Sequence, residues 1–247
     1  MPERSGTDGD KPESEVVLSC QGLGVMEKGR HLFRDVSFSL GLGQGGLVWA
    51  DHHRVARALF QVCAGLGRPD SGSLRWFGGD AAAYGEEKRA LALKGRIGLV
   101  HRETRLISNL TVLENMTLSL EYNLGLTIGQ AEERIQPIMD CFDLFRDRRL
   151  RPEELSYEKL RMALYVRELV KHPPLFLFEM PLMDLGPKRH ALLLEEIRGR
   201  ADRRECAFLI SAVPPEVGRE WVDWTIIMEE RSGRMETSEK RPDGPIG

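Results

Sequence analysis

The sequence lacks two features that would settle its location or partner at once. It has no apolar run long enough to cross a bilayer, and its first fifteen residues, MPERSGTDGDKPESE, contain no apolar signal region. It also lacks a charge imbalance, because 35 basic and 38 acidic residues leave a net charge of -3 at pH 7. We therefore expect no direct membrane insertion and no nucleic-acid partner.

Paired cysteines are also missing. The four cysteines lie far apart without a C-x-x-C pair, and three of them lie in apolar stretches. They are Cys20, Cys63, Cys141 and Cys206. This pattern indicates buried free thiols in a reducing compartment rather than a disulfide framework or a metal site. We expect a cytoplasmic protein that reaches the inner face of a membrane only through a partner.

Short apolar runs alternate with helical stretches along most of the chain. The runs that predict strands are Leu47–Trp49, Ile97–Val100, Leu175–Phe178, Ala207–Ile210 and Thr225–Met228. Continuous apolar strands separated by helices are typical of a buried, mostly parallel sheet covered on both faces. Residues 1–15 and 231–247 are rich in glycine, proline, serine and charge, and both predict disordered tails. A single domain, 16–230, remains between them.

Two further regions have their own pattern. Val16–Cys20 and Leu32–Leu40 predict a smaller antiparallel piece ahead of the main sheet. Residues from about 102 to 165 show no strong strand signal and predict a helical lobe inserted into the domain. Within this lobe Thr127 is placed to cap a helix. Its apolar face comprises Ile128, Ala131, Ile135, Ile138, Met139 and Phe142.

Four segments, in order, resemble ABC-transporter ATPase subunits. The first two, FRDVSFSLGLGQ and AGLGRPDSGSLRWFGGD, resemble the flanks of the family's phosphate loop. The third, ISNLTVLENMTLSL, resembles the stretch after its Q-loop. The fourth, EELSYEKLRMALYVRELVKHPPLFLFEMPLMDLGP, resembles its signature helix and second acidic strand. The resemblance covers about residues 16–230 and implies a P-loop NTPase-like α/β fold. Within the family, the stretches LTVLENMTLSLEYNLGL and LFLFEMPLMDLGP look closest to subunits of Mce/Mla-type lipid transporters.

The same comparison implies that the phosphate loop has lost its chemistry. Such a loop has the pattern G-x-x-x-x-G-K-[ST], whose glycines admit the phosphates, whose lysine neutralises them and whose hydroxyl holds Mg²⁺. At this place the chain reads ADHHRVARA. Ala50 and Val55 replace the glycines, Ala56 the lysine and Arg57 the hydroxyl. The degenerate positions are Ala50, His53, Val55, Ala56, Arg57 and Ala58.

The catalytic positions implied by the resemblance are also replaced. The Q-loop glutamine falls on Arg102 and the switch histidine on Ala212. The second acidic strand ends in Glu179-Met180, so a carboxylate for a metal remains but the general base becomes a thioether, which accepts no proton from water. Glu179 is thus a weak candidate metal ligand. The resemblance alone would imply ATP and Mg²⁺; with these replacements we expect neither.

The signature keeps its beginning and loses its glycines. Leu155 and Ser156 are present, but Tyr157 and Glu158 stand where the family has glycines, followed by Lys159. In the family each ATP lies between one chain's phosphate loop and the other chain's signature. A tyrosine and a carboxylate there are expected to clash with and repel a neighbour's triphosphate.

The histidines and arginines of the loop leave three interpretations open. The loop is relaxed after the loss of catalysis; or His52, His53, Arg54 and Arg57 form an anion site at a helix start; or His52, His53 and Glu179 bind a metal. If Glu179 is left without a lysine or a metal, a buried unpaired carboxylate would be costly. We therefore predict that Arg57 or Arg54 lies within hydrogen-bond reach of Glu179.

Three functions remain open. The first is a non-hydrolysing homologue that docks on a membrane permease or on another ABC ATPase subunit, as a homodimer or a heterodimer. The second is an ATPase of unusual chemistry that still drives transport, and the third is an adaptor outside transport. For docking, we predict a groove near Arg102 and Leu106–Leu120. Its apolar members, which alternatively form the core of the lobe, are Leu106, Ile107, Leu110, Val112 and Leu113.

Overall fold

The antiparallel part of the fold is a four-stranded piece near the N-terminus. The computed structural model describes residues 15–81, 93, 95–212, 218–229 and 232–237. The strands of the antiparallel piece are β1 (Val16–Glu27), β2 (Arg30–Gly41), β4 (Ser71–Trp76) and β5 (Gly79–Asp80). Strand β1 pairs antiparallel with both β2 and β4, and β4 pairs with β5. The predicted antiparallel piece is confirmed.

The mostly parallel part continues the same sheet. Its strands are β3 (Gly45–Ala50), β6 (Ile97–Val100), β7 (Leu175–Phe178), β8 (Ala207–Ser211), β9 (Trp224–Glu229) and β10 (Ser232–Thr237). The order across the sheet is β5-β4-β1-β2-β10-β9-β3-β8-β7-β6. Strands β9, β3, β8, β7 and β6 are parallel neighbours, with β10 antiparallel to β9. The five predicted strands are confirmed, and side chains of β7 and β8 are buried throughout, as a sheet covered on both faces requires.

Helices cover the sheet and build the lobe. Helix α1 (His53–Cys63) follows β3, and α6 (Pro187–Asp202) precedes β8. The lobe lies between β6 and β7 and contains α2 (Val112–Leu124), α3 (Ile128–Cys141) and α4 (Tyr157–Leu169). A short helix, α5 (Pro181–Asp184), follows β7. The inserted helical lobe is therefore confirmed, although α4 extends beyond its predicted limit of 165.

The Thr127 cap and the face of α3 follow the sequence pattern with one exception. The Thr127 hydroxyl accepts the N–H of Gln130, and the Gln130 side chain accepts the N–H of Thr127, which is a capping box. Ala131, Ile135 and Met139 are buried, but Ile128 is exposed. The prediction was wrong for Ile128 because the first turn of the helix projects beyond the lobe's core.

The predicted C-terminal tail needs a correction. Ser232–Thr237 form β10, which pairs antiparallel with β9 along its whole length. This strand forms despite its polar sequence, because pairing with β9 and β2 supplies its backbone hydrogen bonds. The rest of that tail, 238–247, and residues 1–14 of the N-terminal tail lie outside the described residues.

Two packed apolar clusters form the core, one mainly under the lobe and α6 and one between α1 and the antiparallel strands. Cys20, Cys63 and Cys206 are buried free thiols as predicted, whereas Cys141 is exposed. In the described residues, no helix has the length and apolar character needed to cross a membrane.

Candidate functional site

The loop after β3 leads directly into α1. His52 is the N-cap residue of α1 with extended backbone, and its side chain makes no capping hydrogen bond. Most of the predicted phosphate-loop positions point inward: Ala50, Val55, Ala56 and Ala58 are buried in the apolar cluster under α1. His53 is exposed. The helix therefore presents packing side chains, rather than a ring of polar groups, at this end of the sheet.

Arg57 pairs with a residue that the sequence interpretation did not identify. Its Nη2 lies 2.7 Å from Oε1 of Glu103, and the two side chains are 26% and 66% exposed. Within the described residues, Nε and Nη2 of Arg57 are enclosed and make no hydrogen bond of good geometry. The contact is therefore a charge pair, held between the first turns of α1 and the loop after β6.

The prediction that Arg57 or Arg54 pairs with Glu179 is wrong. Arg54 donates to Glu27 at 3.1 Å on the protein surface, and Arg57 pairs with Glu103. The carboxylate of Glu179 accepts instead the backbone N–H of Arg102, at 3.3 Å from Oε2. The loop after β6 supplies the partner of Glu179, the Arg102 N–H, and the partner of Arg57, the Glu103 carboxylate. It does so because it passes between the end of β7 and the start of α1.

Glu179 itself is only 3% exposed and ends the buried strand β7. Its backbone N–H donates to the carbonyl of Val100 on β6. The next residue, Met180, has a left-handed backbone with φ of 53°. Its N–H donates to the Ser211 hydroxyl at 2.9 Å, which holds this strained turn in place.

Charges of both signs act on His101, the first residue after β6. Burial lowers the pKa of His101, with the nearby guanidinium groups of Arg57 and Arg161 acting in the same direction against the carboxylates of Glu179 and Glu103. The Nδ1 atom of His101 accepts the Glu103 N–H at 3.2 Å, which requires that nitrogen to be unprotonated. The centre is thus a neutral imidazole between two carboxylates and two guanidinium groups.

The signature remnant forms the start of α4. The Ser156 hydroxyl accepts the N–H of Lys159, so Ser156 caps this helix. Leu155 packs partly buried against the core, and the Lys159 ammonium pairs with Asp147. Tyr157 is 66% exposed, so it projects from this face of the molecule.

Glu158 differs from the sequence expectation. Its Oε1 accepts the N–H of Gly186 at 2.9 Å, and its Oε2 lies 3.4 Å from Nε of Arg189. These partners belong to the same chain and neutralise the carboxylate. The expected repulsion of a neighbour's triphosphate is therefore weaker than the sequence alone suggests.

The remaining predicted positions are divided between core and surface. Ala212 is buried, and its N–H donates to Val48 on β3. In the predicted docking groove, Leu106 and Val112 are buried in the core, and Leu110 and Leu113 are half-buried. Ile107, at 46% exposed, is the member that presents a surface. For Leu106 and Val112 the groove prediction was wrong, because they close the core of the lobe.

An open groove of about 890 Å³ lies between the β1–β2 turn and α1. Its lining residues are Glu27, Lys28, Arg30, His31, Leu32, Asp51, His52, Arg54 and Val55. His52 and Arg54 line this groove, whereas Arg57 faces Glu103, so the predicted four-residue anion site is divided between two places. The metal interpretation is also wrong: no cluster of three or more metal-binding side chains occurs among the described residues.

The residues around Glu179 do not fit Mg²⁺. A divalent cation prefers several oxygen ligands, but the charges that act on His101 include the guanidinium groups of Arg57 and Arg161 as well as the carboxylates of Glu179 and Glu103. Glu103, the other carboxylate, is already paired with Arg57. A metal here would meet two cations and one available carboxylate.

Sequence reasoning missed His101, Glu103 and Arg161. The first two follow β6 immediately, and the carboxyl ends of parallel strands are where ligand-binding side chains collect in α/β sheets. That rule would have identified both residues. Arg161 lies buried on α4, and nothing in the sequence distinguishes it from a surface arginine.

Comparison with known proteins identifies the family. The ABC transporter family model matches residues 58–182, half of the chain. The molybdate/tungstate import ATP-binding protein WtpC of Thermococcus kodakarensis is 24% identical over 185 residues, 74% of this chain, and the chain spans about half (53%) of its length. The lipoprotein-releasing system ATP-binding protein LolD of Pseudomonas syringae pv. tomato is 25% identical over 201 residues, covering 79% of this chain and 88% of LolD.

Solved structures agree on the fold. The dimeric post-hydrolysis state of the ATP-binding cassette MJ0796, bound to ADP and Pi, superposes with a TM-score of 0.81 at 16% identity. The match covers 90% of this chain and 99% of that cassette. The fold is therefore that of an ABC ATPase cassette of the P-loop NTPase class, and the chain belongs to the ABC transporter family.

Proposed function

We propose that this chain is a non-hydrolysing ABC cassette that serves as a structural or regulatory component of a transport assembly. Its partner is an integral membrane permease, another ABC ATPase subunit, or both. The observation that carries the proposal is the internal pairing at the end of the sheet. Glu179 accepts the N–H of Arg102, and Arg57 pairs with Glu103, so the two residues that the resemblance aligns with the metal carboxylate and the Mg²⁺ hydroxyl are engaged by groups of the same chain.

The chemistry of hydrolysis supports the same proposal. Attack of water on a phosphoryl group needs a group that positions the water and cations that stabilise the phosphoryl oxygens. Met180 follows the buried carboxylate, and a thioether accepts no proton. Removal of one positioned electrostatic group commonly costs about 10²–10³ in rate, and this chain lacks several.

Docking is supported by the exposed side of the lobe. Ile107 is held beside α2 by Asn115, whose Oδ1 accepts the Ile107 N–H at 2.7 Å. Leu118 and Tyr122, one turn apart on α2, are exposed as well. Ile107, Leu118 and Tyr122 give this side of the lobe an exposed apolar surface, and we propose that the permease binds there.

The transport class that we propose is lipid transport. Two segments, LTVLENMTLSLEYNLGL and LFLFEMPLMDLGP, resemble Mce/Mla-type subunits, and LolD, a relative at 25% identity, belongs to a lipoprotein-releasing system. WtpC, a relative at 24% identity, is named for molybdate and tungstate import, so overall similarity does not select the cargo. Identification of the permease that copurifies with the chain decides between these classes.

The docking test is a crosslink from the lobe. Ser108 is exposed beside Ile107, so a Ser108→Cys variant carrying a short crosslinker should capture an integral membrane permease in native cells. A Ser73→Cys variant, exposed on β4, is the matched control and should not capture it. Capture of soluble proteins alone from Ser108→Cys would contradict docking on a permease and favour an adaptor outside transport.

A further inference from the structure

A five-residue connector, 101–105, joins β6 to the lobe and is attached to three different elements. The Arg102 N–H donates to Glu179 at the end of β7. The Glu103 carboxylate pairs with Arg57 on α1. The third contact is made two residues further along, at Arg105. Attachments on neighbouring residues restrict a short segment more than the same number spread over a long loop, because each one limits the freedom left to the next.

The third contact ties the connector to the lobe itself. The carbonyl of Arg105 accepts a hydrogen bond from Nη1 of Arg167, on α4, at 2.9 Å. Arg105 also turns its own Nη1 back to the carbonyls of Arg102 and Thr104, at 2.9 and 3.0 Å. The connector is therefore folded on itself between α1 and β7 on one side and α4 on the other.

Arg57 is the cation that joins α1 to this connector. Its Nε and Nη2 are enclosed, and Nη2 faces Glu103 at 2.7 Å. The pair lies beside His101, which is electrostatically coupled to Glu179, Arg57, Glu103 and Arg161. The two guanidinium groups balance the two carboxylates, so the cluster needs no added cation to be neutral.

We propose that the Arg57 guanidinium is a built-in cation that holds the connector against α1 and keeps the lobe in one position relative to the sheet without nucleotide or divalent metal. This inference rests on the proposed function, because a lobe held in one position without nucleotide suits a non-hydrolysing component. The inference adds that the chain presents one constant conformation to its permease or ATPase partner.

Each contact of the connector contributes only a modest free energy. A lone surface ion pair contributes little, and Glu103 is largely exposed. The enclosed end of Arg57 and the adjacent hydrogen bonds to Glu179 and Arg167 make the pair part of a network rather than an isolated contact. Removing it should therefore loosen the connector without unfolding the chain.

The test is a distance measurement between sheet and lobe by pulsed electron paramagnetic resonance. Spin labels are placed on Ser73→Cys in β4 and Glu133→Cys in α3, both exposed positions, in a Cys141→Ser background that removes the exposed native thiol. The labelled chain should give one narrow distance distribution, and that distribution should not change when Mg-ATP or EDTA is added.

Breaking the pair should release the lobe. In Glu103→Gln the population outside the main distance should rise about two- to fivefold, the range that a partly exposed ion pair supports. Arg57→Gln should give the same result from the other end. Glu27→Gln is the matched control, because it breaks the Arg54 pair on the same helix turn without touching the connector, and it should leave the distribution unchanged.

Two outcomes overturn the inference. One is an unchanged distribution in both Glu103→Gln and Arg57→Gln; the other is a shift of the unsubstituted chain on adding Mg-ATP. Phosphate release measured on the same samples separates this failure from failure of the proposed function. A shift without hydrolysis rejects only the built-in cation, whereas hydrolysis rejects the proposed function.

Discussion

The Glu158 carboxylate accepts a hydrogen bond from the backbone N–H of Gly186, with Oε1 2.9 Å from the nitrogen. Gly186 is the N-cap residue of α6, so this carboxylate lies at the positive end of the helix dipole. Arg189, in the first turn of α6, approaches the other oxygen at 3.4 Å. A glutamate at the predicted signature position therefore joins α4 to α6 within one chain.

We expect Glu158→Ala to lower the free energy of unfolding by about 1 kcal/mol, the typical contribution of a capping carboxylate. The loss arises because the Gly186 N–H and the Arg189 guanidinium lose their partner. Urea unfolding followed by circular dichroism measures the change. Glu153→Ala, at an exposed residue three positions before Ser156, is the control; an equal loss in both variants would contradict the capping role.

Asn115 should be essential for the loop that carries Ile107. This buried side chain accepts the Ile107 N–H and donates to the carbonyls of Ile107, Leu110 and Thr111. Asn115→Ala leaves buried backbone groups unsatisfied, so we expect a loss of about 1–3 kcal/mol in the free energy of unfolding. Hydrogen exchange should also accelerate at Ile107. Exchange as slow as in the unsubstituted chain would show that water replaces the amide.

His172 should make the fold sensitive to acid. His172 is an exposed residue, but the protein shields part of its ring from water, and this shielding, with the guanidinium groups of Arg200 and Arg134 nearby, lowers its pKa from 6.5 to about 4. The unfolded chain then binds this proton at higher pH than the native chain, so the stability due to neutral His172 is present above pH 6.5 and is lost as the pH falls to about 4.

The variant that tests this linkage is His172→Asn. The residue has a left-handed backbone with φ of 50°, which asparagine tolerates. The urea midpoint of the variant should depend less steeply on pH between about 6.5 and 4 than that of the unsubstituted chain. Parallel curves for the two proteins would remove His172 from the account.

On the proposed function, a lysine placed at position 56 alone should not produce hydrolysis. Ala56 is buried in the apolar cluster under α1, so the ammonium of Ala56→Lys would have to displace packing or leave the cluster. Arg57 and Met180 remain in place as well. We expect a destabilised protein with phosphate release no faster than before, measured with Mg-ATP. Accelerated release would show that one cation is all the site lacks.

Periodicity predicted most of the fold because the strands of the parallel sheet are buried on both sides. Leu175–Phe178 and Ala207–Ile210 are short, continuous apolar runs, which is the pattern of a strand covered on both faces. Strand β10 was missed because Ser232–Thr237 lacks that signal, and its pairing with β9 is a long-range property. Ile128 was misplaced because a helix pattern does not show where the neighbouring core ends.

The site was less accessible to sequence reasoning. The replacement of the lysine and the base that we propose was inferred residue by residue from the resemblance, but the partners of the remaining charges depend on how loops pack. Two neighbouring residues make different contacts: the Glu103 side chain pairs with Arg57, and the Arg102 backbone N–H donates to Glu179. The sequence does not show which of the two makes which contact. The cost of burying an unpaired carboxylate correctly predicted that Glu179 has a partner, but it did not predict that the partner is a backbone N–H.

Phosphate release from Mg-ATP by the purified chain, beside a Glu179→Ala variant, distinguishes a non-hydrolysing cassette from an active ATPase. Glu179 is the one buried carboxylate at the end of β7, and its partner within the described residues is the Arg102 N–H. The account predicts that both proteins release phosphate at the same background rate, with or without Mg²⁺. Magnesium-dependent release by the unsubstituted chain that disappears in Glu179→Ala would contradict it.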